Sequence, residues 1–123
     1  LQTLNPNASD FWIGGFSFGA WIAMQLLMRR PEISGFVSIA PPANMFDFSF
    51  LAPCPSSGLI LHGDNDEVVP EAAVAKLAQK LKTQKNIVVD YDVIGGAGHF
   101  FTEQFDDLNE RVGTYLDGRL GLG

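Results

Sequence analysis

Apolar positions in this chain come in short runs, separated by glycine, proline and acidic clusters. That is the pattern of strands alternating with helices. Phe11 to Phe16 reads as a first strand, with Phe11 to Ile13 continuously apolar. Phe18 to Arg30 follows as a helix. Up to Met28 its only polar side chain is Gln25, so it is buried on most sides. Arg29 and Arg30 suit a helix C-terminus, and Pro31 stops it. Gly35 to Ala40 is a second strand, ended by Pro41-Pro42, and Gly58 to His62 a third. Between them, Asn44 to Pro55 groups Met45, Phe46, Phe48, Phe50 and Leu51 without a clear period, which fits an irregular loop or a short helix. Pro70 and Glu71 open a second helix, with Val74, Leu77, Ala78 and Leu81 on one face and lysines outward. Asn86 to Ile94 alternates toward its end, as a partly exposed edge strand does. The last helix spans Thr102 to Leu120, with Phe101, Phe105, Leu108, Val112, Leu116 and Leu120 forming its stripe. At the start, Leu1 to Pro6 reads as the tail of a helix stopped by proline.

This order predicts an α/β fold, a parallel four-stranded sheet flanked by helices on both faces. In such sheets reactive groups gather beyond the carboxyl ends of the strands. No repeat or linker interrupts the 123 residues, so residues 1–123 read as one domain. A chain that opens on Leu1 reads as one that begins mid-domain.

Composition narrows the function classes. A formal charge of −6 and the absence of a basic stripe argue against nucleic acid as a partner. No run approaches the roughly 18 apolar residues of a membrane span, so no membrane partner is expected. The expected location is the cytoplasm. Cys54 is the only cysteine, which excludes an intrachain disulfide and a thiolate metal site. Lying between Pro53 and Pro55, it reads as a loop thiol without a catalytic role. No cofactor or metal is implied.

Candidate chemistry begins at Gly15-Phe16-Ser17-Phe18-Gly19, the G-x-S-x-G pattern between a strand and a helix. A turn this sharp strains the central residue, and side chains two positions to either side would collide, which is why glycine stands there. The Ser17 hydroxyl is thereby lifted to a helix N-terminus, where the N–H of Phe18 can face a developing oxyanion. Serine needs a base, and His99, in the glycine-rich loop after the fourth strand, is the candidate; His62 belongs to its strand. The imidazole needs a carboxylate to fix its tautomer. Asp66 is the candidate, with Asp64 and Glu67 as close competitors; Asp64, after Gly63, is expected to shape its own turn. Serine, aspartate and histidine thus follow three separate strands in that order. The aromatic loop from Asn44 to Pro55 either lines an acyl or aryl pocket or covers the sheet end.

These segments resemble the C-terminal half of an α/β-hydrolase of the small esterase and dienelactone-hydrolase-like type. The motifs are Gly15 to Gly19, the stretch His62-Gly63-Asp64-Asn65-Asp66-Glu67-Val68-Val69-Pro70, and Gly96-Ala97-Gly98-His99-Phe100-Phe101. The middle stretch is similar to the family's H-G-x-x-D-x-x-V-P pattern, whose aspartate falls on Asp66. The glycine-flanked histidine falls on His99. The resemblance runs from Ile13 to Leu120 and implies a serine hydrolase with a Ser17, His99 and Asp66 triad. Its substrate would be a small-molecule ester or thioester, attacked to form an acyl-enzyme, with the Phe18 N–H as half of an oxyanion hole. Dienelactone hydrolases proper carry cysteine at the elbow, so serine here is a departure that turns the expectation away from their substrate. The resemblance also implies that four preceding strands, and the loop giving a second oxyanion donor, have no counterpart here. Losing one such donor costs about 2.7–4 kcal/mol, so the isolated chain is expected to turn over weakly. It further leaves Phe11 to Phe16 as an open apolar edge, from which a homodimer through paired elbow strands is expected. The competing reading is a catalytically silent hydrolase fragment that self-associates through that edge.

Overall fold

Glycine and proline divide the chain into the elements that the periodicity predicts, with one addition. The computed structural model describes residues 2–7, 10–30, 33–48, 51, 54, 56–84, 87–99, 101 and 104–120. Its elements are β1 (Gln2–Asn7), β2 (Asp10–Phe16), α1 (Phe18–Arg29), β3 (Ile33–Ile39), β4 (Gly58–Gly63), α2 (Glu71–Lys82), β5 (Val89–Ile94) and α3 (Phe105–Leu120). Strands β2, β3, β4 and β5 lie side by side in that order and run parallel, as expected.

The addition is β1. Gln2 to Asn7 is not a helix tail but a strand, antiparallel to β2, with Leu4 opposite Trp12 and Gln2 opposite Gly14. Backbone groups along an apolar strand need partners, and the residues just upstream supply them. Pro6 is compatible with an outer strand, where one N–H has no ladder to serve. The elbow strand is therefore hydrogen-bonded on both sides. The edge through which the Phe11–Phe16 homodimer and the fragment's self-association are expected is occupied by β1, so β2 does not offer it.

Alternating side chains divide the core into two layers, as the pleat requires. On one face Ile13, Phe36 and Ile60 pack with Ala23, Met24 and Leu27 of α1 and Val74, Leu77, Ala78 and Leu81 of α2. On the other, Trp12, Val37, Leu59 and Leu61 pack with Phe101 and Leu108, and with Val112 and Leu116 of α3. Phe105, assigned to the α3 stripe, is instead exposed at the first residue of that helix.

Among the described residues, the connection from β3 to β4 holds no helix, which decides for an irregular loop. It is pinned by a side chain of α1 and by one just past the end of α2. Trp21 Nε1 donates to the Asp47 carbonyl at 3.1 Å, and Gln84 both donates to the Leu51 carbonyl and accepts from the Cys54 N–H, each at 2.6 Å. Leu1, Pro31, Phe50, Pro53, Pro55, Asn86, Phe100 and Thr102, all used in the sequence reading, lie outside the described residues. No described helix is long and apolar enough to cross a membrane.

Candidate active site

Ser17 stands between the last residue of β2 and the first of α1, with φ 55° and ψ −121°. A side chain rarely adopts this backbone, and it costs on the order of 1–3 kcal/mol. The neighbours impose it. The Ser17 N–H donates to the Ile39 carbonyl at 2.8 Å, continuing the ladder to β3, while its own carbonyl accepts from Ala20 at 2.9 Å and begins the helix. A Cβ on Gly15 would run into the Gly19 carbonyl, so the first glycine of the pattern is sterically required.

The bend aims the hydroxyl at His99, with Ser17 Oγ 2.9 Å from His99 Nε2. On the other side of the ring, Nδ1 lies 2.7 Å from Asp66 Oδ2. The remaining oxygen of Asp66, Oδ1, accepts from the N–H groups of Val68 and Val69, both at 2.8 Å. The His99 side chain is 5% exposed and the Asp66 side chain 0%. Burial alone would push the Asp66 carboxyl upward. The Val69 N–H, the His99 ring and the Val68 N–H outweigh it, and the group is held below the usual carboxylate range. An ionised carboxylate only accepts, so the His99 proton sits on Nδ1 and the Nε2 lone pair faces the serine hydroxyl. The structure thus brings Ser17, His99 and Asp66 into one hydrogen-bonded line. Chemically, that line can take a proton from an attacking hydroxyl.

The competing carboxylates are elsewhere. Asp64 does not close its own turn; its Oδ1 accepts from the Gly96 N–H at 2.7 Å, tying the loop after β4 to the loop carrying His99. A second tie runs from the Asn65 N–H to the Ala97 carbonyl at 3.0 Å. Such contact is possible because Gly63 has no side chain, since a Cβ there would meet the Ala97 carbonyl. Gly96 takes φ 77°, which lets the histidine loop reverse. Glu67 is exposed.

Phe18 directly follows Ser17 and is the first residue of α1, so its N–H has no carbonyl within the helix to bond. Around it lies an aromatic cluster. Phe18 is 5.7 Å from Trp21 and 5.3 Å from Phe46, and Trp21 stacks on Phe46 at 4.7 Å. Phe16 sets its ring 5.3 Å from that of His99.

Sequence reasoning passed over two supports of this site. Asn44 donates from Nδ2 to the Val68 carbonyl at 3.2 Å, joining the β3–β4 loop to the Asp66 turn. His62 is buried beside Asp66. The H-G-x-x-D stretch, which begins at His62 and ends at Asp66, is a signal that marks the second pair.

Cys54 is buried, and that burial pushes its thiol upward, away from the thiolate form. Among the described residues, no three His, Cys, Asp or Glu side chains converge as metal ligands would.

The model of the dienelactone hydrolase family matches residues 1–114. The chain belongs to the dienelactone hydrolase family. Among its relatives is an uncharacterized protein of Rickettsia prowazekii, 52% identical over 120 residues, which are 94% of this chain and 50% of that protein. A solved protein of unknown function from Agrobacterium tumefaciens is 58% identical, with a TM-score of 0.91 over 94% of this chain and 53% of its own. An α/β serine hydrolase homologue from Coxiella burnetii is 35% identical, with a TM-score of 0.67 over 80% of this chain and 45% of its own. This dienelactone hydrolase family chain therefore spans about half the length of the relatives it matches. It shares the α/β-hydrolase fold with the two solved structures.

Proposed function

We propose that this chain acts as a serine hydrolase on a small ester or thioester, with Ser17 as nucleophile, His99 as general base and acid, and Asp66 as the group that orients His99. The observation that carries the reading is the unbroken line from Ser17 Oγ to His99 at 2.9 Å and from His99 to Asp66 at 2.7 Å. As Ser17 Oγ attacks the carbonyl carbon, its proton passes to His99 Nε2. The oxyanion then faces the Phe18 N–H. When the carbon–oxygen or carbon–sulfur bond breaks, the proton on Nε2 goes to the leaving group, and the acyl group stays on Ser17. Water repeats the sequence, giving a proton to Nε2 as it attacks, and Ser17 regains one as the acid departs. Asp66 stays ionised throughout and holds the ring in one tautomer.

The aromatic cluster of Phe18, Trp21 and Phe46, which begins at the residue after Ser17, supports an apolar acyl or aryl group on the substrate. An activated fluorophosphonate probe, which loses fluoride to an attacking serine, tests the reading without knowledge of the natural substrate. Ser17→Ala should abolish labelling. His99→Ala should slow it by about a thousandfold or more, and Asp66→Asn by about ten-thousandfold. Asp64→Asn and Glu67→Gln should stay within about threefold of the parent, since neither removes the partner of His99. Undiminished labelling of Ser17→Ala would overturn the assignment.

A further inference from the structure

Asp66 reaches His99 only because the turn after β4 aims its two oxygens apart, and that turn is anchored by a side chain the proton path does not use. His62, in β4, is fully buried. Its Nε2 lies 2.8 Å from the Val69 carbonyl and 3.6 Å from Asp66 Oδ2. A carbonyl only accepts, so the proton of this ring is on Nε2. Val69 is also the residue whose N–H, with that of Val68, donates to Asp66 Oδ1. One peptide unit away from the carboxylate, its carbonyl is sealed in the core, since Val69 is 0% exposed. A buried carbonyl needs a donor, and His62 supplies it.

We propose that His62 is a positioning residue: by donating to the Val69 carbonyl it fixes the turn 66–69 so that Asp66 Oδ2 faces His99 Nδ1. A second observation separates this from simple packing. His62 Nδ1 is buried and has no hydrogen-bond partner among the described residues. A side chain kept only to fill space would be apolar there, because a lone pair sealed from water without a donor is unfavourable. The imidazole is tolerated for the sake of its other nitrogen.

The inference rests on the Ser17, His99 and Asp66 reading, and its test uses a signal independent of turnover. In the 123-residue chain with nitrogen-labelled histidine, the low-field proton resonance of His99 Nδ1–H reports its bond to Asp66. Two variants divide the roles of His62. Gln offers an N–H at nearly the position of Nε2, whereas Met fills the space with no donor. His62→Met should lose or markedly shift the His99 resonance and slow probe labelling at least tenfold, with a cooperative melt retained. His62→Gln should keep the resonance and label within about threefold of the parent. A folded Met variant with an unchanged His99 resonance would overturn the proposal. Should the Met variant not fold, the Gln variant decides: a retained resonance supports the donor role, and a lost one in a folded protein refutes it. A parent chain with the resonance but no labelling would count against the hydrolase reading alone.

Discussion

At Asp66 desolvation and hydrogen bonding act in opposite directions, and the balance has a consequence for stability. Its folded carboxyl lies below the ordinary range because the N–H groups of Val69 and Val68 and the His99 ring more than offset burial. A group depressed in the folded state stabilises the fold fully above its unfolded pKa, about 3.9 for aspartate. Below that the unfolded chain binds the proton first, and the contribution is lost as pH falls through the folded value. Thermal or urea unfolding of Asp66→Asn should therefore lose part of the acid limb seen in the parent. The two curves should be furthest apart near neutral pH and converge below about pH 4. Gly15 offers a second test at this scale. Gly15→Ala places a methyl against the Gly19 carbonyl and should cost about 1–3 kcal/mol in chemical denaturation. Ser17, Asp66 and His99 were legible in the sequence because each sits in a short pattern with few physical explanations. Asp64 and His62 were not, since their partners, the Gly96 N–H and the Val69 carbonyl, are backbone atoms of other turns that periodicity does not locate.

Elements were read best where one face is buried and the period is clean. α2 runs from Glu71 to Lys82 with Val74, Leu77, Ala78 and Leu81 inward, as its spacing demands. α3 shows where such reading stops. Its middle, from Leu108 to Leu116, packs as predicted, yet Phe105 at the first position points out. A first-turn residue belongs to a stripe only if the preceding loop leaves it over the sheet, and Phe101 already fills that space, with 0% exposure. The strand β1 was missed for a related reason. Its sequence has no alternating pattern, and its pairing is set by the ladder that β2 offers. Leu108 is buried in the same cluster as Phe101 and as Ala97 of the histidine loop. Leu108→Ala should cost about 2–5 kcal/mol in denaturant unfolding. Arg111, paired with Asp107 and Asp92 at the partly exposed outer side of the same helix, contributes far less to stability.

Across the molecule, parallel order explains why the candidate site is compact. The loops after β2, β4 and β5 all leave the same end of the sheet, so groups at positions 17, 66 and 99 converge without any long-range device. Adjacent strands β4 and β5 carry the acid and the histidine, and the ties from Asp64 and Asn65 fasten their loops together. The strand alternation was enough to predict this convergence. What it could not predict was the occupied edge of β2, because an outer antiparallel strand leaves no mark on the crossovers.

The strand β3, between those that lead to Ser17 and Asp66, contributes none of the three polar groups, and the segment that follows it brings Phe46 and Asn44 instead. The three polar groups and the loop that carries Phe46 and Asn44 thus lie on separate connections. Substitutions at Phe46 should therefore leave the distances among Ser17, His99 and Asp66 as they stand, provided the anchoring amide of Asn44, which holds the Val68 carbonyl, is kept.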